Sequence, residues 1–431
     1  MRNAPRRVTR VTRRHALLRV LVLLAAVAFL ATSAGAGRAA ETPPCGLPAQ
    51  VVFWTANDWV PLAEELKSQL SPCVEYYISI PPRAADKTVL RDDQDEVIRA
   101  LGPQFHPVAE VRLTGDPGWE EWVEAVPGRT WFDAGVEFRK RMAAAGYASD
   151  QKETWLLNEF DGSTRRDEAP HSRASMTELL RGLYQGDGSG PRVPGIVEIG
   201  IAYTHQNIPD VPAYKAEMQA WLEDSTFWRT VDPYISVLTK EAYADARYWA
   251  VPGTSRNERA RQLSEYMQHT MNLVADGPAS IAPARALWTR VYMPLGNATW
   301  PALGPDPYSP PFCCGHGWTQ ISLEEMLSFV SEQIYANRRY VGNHRQGPPK
   351  GRFGFSWQPT NNYDLPGPAW NEAKRAIASR IGAAIRYSYR PGLSWSNAAC
   401  RPPGGPTDFC LGANVPGAAF TSAWTAFRTW N

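Results

Sequence analysis

Val51-Val52-Phe53-Trp54-Thr55-Ala56-Asn57-Asp58 is a short run of β-branched and aromatic residues that ends abruptly in polar ones. Such a run reads as a buried strand followed by a turn. In an open, doubly wound α/β sheet, the turn after the first strand carries glycines that let the backbone approach a phosphate. Thr55 to Asp58 contains none. The first strand therefore does not open a nucleotide-binding crevice, and the alternating pattern that follows must close in another way.

Seven more runs of strand character follow: Val74 to Ile80, Val108 to Leu113, Thr154 to Phe160, Gly195 to Tyr203, Tyr234 to Thr239, Ala286 to Met293 and Arg352 to Trp357. Helical patterns separate them, over Trp59 to Leu70, Lys87 to Leu101, Thr130 to Ala145, Met176 to Gln185, Ala213 to Arg229, Asn257 to Val274, Leu323 to Tyr340 and Trp370 to Tyr389. Eight strands, each followed by a helix, predict an α/β fold closed as a (β/α)8 TIM barrel with long βα loops. The barrel is expected over residues 50–395, with 396–431 a C-terminal extension packed on it. The seventh run is ambiguous, since Ala284 to Leu295 also fits a helix.

The chain has 431 residues and a formal net charge of +2, and its positive excess lies at one end. Residues 1–36 hold seven arginines and no acid, then an apolar run from Val20 to Ala31, then Ser33-Ala34-Gly35-Ala36. A basic segment, a short apolar segment and an Ala-x-Ala site describe a cleaved secretory signal. Arg13-Arg14 before His15-Ala16-Leu17-Leu18 also fits a twin-arginine signal. The apolar run is too short for a membrane span, which needs about 20 residues. Residues 37–49 are expected as a linker. Without residues 1–36 the chain carries 38 basic and 43 acidic side chains, a net of −5. The expectation is a secreted monomer, extracellular or periplasmic, with no membrane attachment after cleavage and no nucleic acid as partner.

Six cysteines suit an oxidising compartment. Cys45 and Cys73 each precede a strand, and the starts of the first two strands are neighbours in a parallel sheet, so a bridge there is geometrically cheap. Cys400 and Cys410 enclose a Pro/Gly-rich loop and are expected to pair, which leaves Cys313-Cys314 as a vicinal pair. No Cys-x-x-Cys occurs and the histidines stand singly, so no metal and no cofactor is expected.

Chemistry in a parallel barrel gathers at the C-terminal ends of the strands. Two carboxylates stand out there, Glu159 after the fourth run and Glu241 after the sixth, with Asp58 and Asp161 in reserve. An acid facing a base or nucleophile across a scissile bond is what glycoside hydrolysis requires. The chain is also rich in tryptophan, 17 residues, and Trp54 and Trp357 end the first and last strands. Indole faces stack on sugars, while Asn57, Asn158, Tyr203, His205 and Gln358 are suited to reading hydroxyls.

The topology and the Asn158-Glu159 pair ending the fourth strand resemble the clan A (β/α)8 glycoside hydrolases. That resemblance implies Glu159 as acid/base, Asn158 as a sugar-hydroxyl contact and Trp357 as a sugar platform. The clan places its nucleophile after strand seven, where Ala286 to Asn297 offers no carboxylate. Other (β/α)8 glycosidases pair strands four and six, which fits Glu241. The function expected is therefore a secreted glycosidase acting on a polysaccharide or glycoconjugate. The competing expectation is a secreted barrel that binds carbohydrate without cleaving it. A serine hydrolase is disfavoured, because Gly354-Phe355-Ser356-Trp357-Gln358 lacks the second glycine of a nucleophile elbow.

Overall fold

The computed structural model describes residues 45, 49–54, 64–82, 86–91, 94–113, 117–147, 154–158, 160, 172–199, 223–241, 255, 258–259, 261, 289–294, 324, 327–335, 353–358 and 368–392. The chain divides into two compact units, Met1–Pro44 and Cys45–Asn431. The first, with the expected export signal, lies outside the described residues, as does the expected extension over 396–431.

The described strands are β1 (Ala49–Trp54), β2 (Val74–Ile80), β3 (Phe105–Val111), β4 (Thr154–Leu157), β5 (Gly195–Ile199), β6 (Ile235–Glu241), β7 (Thr289–Pro294) and β8 (Phe353–Gln358). The described helices are α1 (Gln94–Ala100), α2 (Trp119–Glu124), α3 (Trp131–Ala144), α4 (Arg173–Gln185), α5 (Ser225–Val231) and α6 (Pro368–Ser388). The result is an α/β fold built on a curled parallel sheet. Each strand pairs in parallel with the next, and β8 pairs with β1. All seven residues of β3 are buried, as are six of the seven in β2, which is why these strands read as near-continuous apolar runs.

Local chemistry sets the helix boundaries. Thr130 caps α3 reciprocally: its hydroxyl accepts from the Asp133 N–H at 3.2 Å, and its own N–H donates to Asp133 Oδ2 at 2.9 Å. Ser172 caps α4 by accepting from the Ser175 N–H, and Asp224 caps α5 by accepting from the Phe227 N–H. The far end of α4 is held from α3, where Arg139 Nη1 donates to the Leu183 carbonyl at 2.8 Å and Nη2 to that of Pro191 at 3.3 Å.

Several element boundaries differ from the sequence expectation. β3 begins at Phe105 rather than Val108 and ends at Val111 rather than Leu113, because Pro107 lies inside the strand instead of marking its start. The helix expected from Lys87 begins only at Gln94. Asp86 Oδ1 accepts from the Thr88 N–H at 2.8 Å and from its hydroxyl at 2.7 Å, a local turn that outcompetes helix. The turn residues Pro117-Gly118 concealed α2, whose entry is closed by Glu121 Oε2 accepting from the Gly118 N–H at 2.6 Å. β4 stops at Leu157, and Asn158 already lies in a turn.

Cys45 and Cys73 form a disulfide with Cα atoms 5.3 Å apart. It sits beside the first rung of the β1–β2 ladder, where the Ala49 N–H donates to the Cys73 carbonyl at 2.9 Å. The bridge spans 28 residues of sequence. Replacing both cysteines by serine is expected to cost about 3.5 kcal/mol, since the unfolded chain regains the freedom of that loop. The measurement is the denaturant midpoint in oxidising buffer, and a midpoint equal to wild type would reject a stabilising role. The other four cysteines lie outside the described residues.

Candidate functional site

Alternation along the strands sorts residues onto two faces. One face carries Gln50, Val52 and Trp54 of β1, in register with Glu75, Tyr77 and Ser79 of β2. It continues through His106, Val108 and Glu110 of β3, then Thr154 and Leu156 of β4, with Asn158 next in line. Ile196 and Glu198 of β5 follow, paired with Val237 and Thr239 of β6. The other face is apolar and aromatic, with Phe53 stacked on Tyr76 at 6.2 Å and Tyr76 on Phe105 at 5.2 Å.

Polar groups on the first face fall into two layers. Near the strand starts, Gln50 Nε2 donates to the Tyr77 hydroxyl at 3.3 Å, and His106 Nε2 lies 2.5 Å from Glu75 Oε2. These groups satisfy one another at the end of the sheet away from the strand C-termini, and we read them as structural.

The second layer lies at the C-terminal ends and centres on Glu110, which is fully buried. Arg112 Nε donates to its Oε1 at 2.5 Å and Asn158 Nδ2 donates to the same oxygen at 3.1 Å. The Ser79 hydroxyl donates to Oε2 at 3.4 Å. Donors from β2, from just beyond β3 and from just beyond β4 thus converge on one carboxylate. A charge buried this deeply is tolerated because a guanidinium and neutral donors surround it. Glu198 is the next acid on this face and is 1% exposed. The Phe160 N–H donates to the Glu198 carbonyl at 2.8 Å, which ties the chain beyond Asn158 back onto β5.

Of the residues expected from sequence, Asn158 is part of this layer and is buried. Trp54, Glu241, Trp357 and Gln358 are described by strand position. Trp54 pairs in register with Ser79, and Glu241 pairs with Tyr292. Gln358 pairs with Pro294, and Trp357 pairs with Phe53. Asn57, Asp58, Glu159, Asp161, Tyr203 and His205 lie outside the described residues. Glu110 and Glu198 lie inside apolar runs rather than at strand ends, so the expectation of chemistry at strand ends does not reach them. The signal was present in Val108-Ala109-Glu110-Val111 and Gly195-Ile196-Val197-Glu198-Ile199, each an acid set inside an apolar run. Burying such an acid is costly unless the fold supplies partners.

Among the described residues no group of three or more His, Cys, Asp or Glu side chains is arranged to hold a metal ion, and no helix is long and apolar enough to cross a membrane.

A scan against protein-family models finds no match. A search of curated proteins finds none either. Solved structures do show similarity. A family 1 β-glucosidase from Thermotoga maritima is 11% identical, with a TM-score of 0.42, over 76% of this chain and 86% of its own. A mannanase from Bacillus subtilis is 9% identical, with a TM-score of 0.37, over 83% of this chain and 91% of its own. A family 51 α-L-arabinofuranosidase from Bifidobacterium longum is 12% identical, with a TM-score of 0.35, over 72% of this chain and 67% of its own.

Proposed function

We propose that the chain is a secreted glycoside hydrolase, built as a complete (β/α)8 barrel with long βα loops, that cleaves a polysaccharide or glycoconjugate at the C-terminal ends of its strands. The observation that carries this reading is the buried layer of Ser79, Glu110 and Asn158 at that end of the sheet, with Glu198 on the same face. A polar layer held this rigidly beneath the strand ends is a foundation for a site reading hydroxyls, since preorganised donors and acceptors give specificity.

In this reading Glu159 protonates the glycosidic oxygen as the bond to the anomeric carbon breaks. Glu241 either attacks that carbon directly or takes a proton from the water that does. Their separation sets the stereochemistry: about 5–5.5 Å gives retention and about 6.5–9.5 Å inversion. Trp54 and Trp357 stack on sugar rings, and Asn57, Asn158, Tyr203, His205 and Gln358 contact hydroxyls, with Asp58 and Asp161 beside them. The pairs Cys313–Cys314 and Cys400–Cys410 complete the disulfides. The protein works as a monomer after loss of residues 1–36, without cofactor.

The test is a panel of neutral polysaccharides and glycoconjugates incubated with the purified protein, with reducing ends measured as product. At least one glycan is expected to be cleaved. Glu159→Gln and Glu241→Gln are each expected to lower the rate on it by about 100-fold or more. Cleavage undiminished in Glu159→Gln would remove the acid/base assignment, and no cleavage across the panel would remove the glycosidase reading.

A further inference from the structure

A carboxylate and a carboxamide can meet in only one productive way. Carboxylate oxygens accept, and of the two ends of an asparagine side chain only Nδ2 donates. The 3.1 Å contact between Glu110 Oε1 and Asn158 therefore fixes which way the amide is turned. The reverse rotamer would set Oδ1 against the carboxylate, acceptor facing acceptor. Glu110 is itself held, with Arg112 Nε on Oε1 and the Ser79 hydroxyl on Oε2, and it has no exposed surface. The backbone of Asn158 is anchored as well, its N–H donating to the Val111 carbonyl at 3.2 Å. Among the described residues, Glu110 is the one hydrogen-bond partner of the Asn158 side chain.

We propose that Glu110 is a positioning residue that locks the Asn158 carboxamide with Nδ2 turned inward, so that Oδ1 is the atom Asn158 offers to a substrate hydroxyl. The proposal rests on the glycosidase reading given above. Its consequence is a polarity: at this point the site accepts a hydrogen bond, and one particular sugar hydroxyl must donate it. An amide free to rotate would also present an N–H there and lose that selectivity.

Three variants and two readouts test it. Glu110→Gln keeps an oxygen for Arg112 and Asn158 and turns its own amide nitrogen to the Ser79 oxygen, so it preserves the lock. Glu110→Leu removes the acceptor. Asn158→Ala identifies the Asn158 side-chain resonance by its disappearance from a spectrum of protein labelled with 15N-asparagine. The first readout needs no substrate: solvent exchange of the Asn158 Nδ2 protons is expected to be slow in wild type and Glu110→Gln, and about tenfold or more faster in Glu110→Leu. An unchanged rate in Glu110→Leu overturns the lock.

The second readout is kcat/KM on the glycan identified by the panel and on its monodeoxy analogues. Glu110→Leu is expected to lose about tenfold on the parent and on all analogues but one, and to change little on that one, which already lacks the hydroxyl read by Oδ1. Equal losses on every analogue would mark Glu110 as merely structural. If no glycan is cleaved, the hydroxyl assignment falls with the glycosidase reading, while the exchange rates still decide the lock. Should Glu110→Leu fail to fold, Glu110→Leu/Arg112→Met removes both charges together and is read in the same way.

Discussion

Gly182→Ala is expected to lower the unfolding free energy by about 4 kcal/mol, beyond the usual cost of an overpacked core. A Cβ at Gly182 of α4 would lie 2.3 Å from the Phe132 carbonyl oxygen, 3.1 Å from Gly135 Cα and 3.1 Å from the Val136 nitrogen. These are backbone atoms of α3, so no side chain can rotate away. The contact is reciprocal, since a Cβ at Gly135 would meet the Leu179 oxygen and the Leu183 nitrogen, both at 2.6 Å. The two helices must part by about 1 Å, and a gap of that size forfeits a quarter to a half of the dispersion energy of each contact it opens. Phe138 and Met142 on α3 and Met176, Leu179 and Leu183 on α4 all lose contact together. Gly190→Ala, where nothing lies within 4 Å, is the control and should stay within about 0.5 kcal/mol of wild type. Chemical denaturation of both variants decides the matter, and a Gly182→Ala midpoint equal to that of Gly190→Ala would refute the close-approach argument.

That the strands were legible and the helix-packing glycines were not has a physical cause. A strand in a parallel sheet is buried on both faces, so its composition is dictated locally and Val74 to Ile80 announces itself. Gly135 and Gly182 are required by a neighbour 47 residues away, and nothing in Val-Glu-Phe or Leu-Tyr-Gln around them says so. The site divides in the same way. Asn158 was found because it ends a strand, and Glu241 because it ends β6. Glu110 was passed over although its parity matches Ser79 and Asn158, because the partners that make its burial tolerable come from three different segments. Pro107 is a related case: proline is depleted within strands by local rule, yet it lies inside β3 with Ile78 as its register partner.

Gly195→Ala is expected to have an effect of similar size, and it reaches the site directly. A Cβ there would lie 2.1 to 2.2 Å from three ring carbons of Trp155, which is fully buried. The indole is rigid and is tethered, Nε1 donating to the Val193 carbonyl at 3.0 Å, so it has no cheap way to yield. The alternative is for β5 to move off β4. That motion strains Thr154 Oγ1 to the Pro194 carbonyl at 2.9 Å and Ser236 Oγ to the Gly195 carbonyl at 3.0 Å. It also shifts Glu198 on β5 relative to Asn158 beyond β4, three residues past Gly195 and Trp155 respectively. Trp155→Leu alone leaves a cavity and is expected to cost about 3 kcal/mol, and Gly195→Ala alone about 4 kcal/mol. In the double variant the new methyl fills part of the space the indole vacates. Its cost should therefore sit near that of Trp155→Leu, a coupling of about 4 kcal/mol in magnitude, above the usual range of about 0.5–3 kcal/mol for residues in contact. Costs that simply add would show that Gly195 answers to something other than the indole beside it.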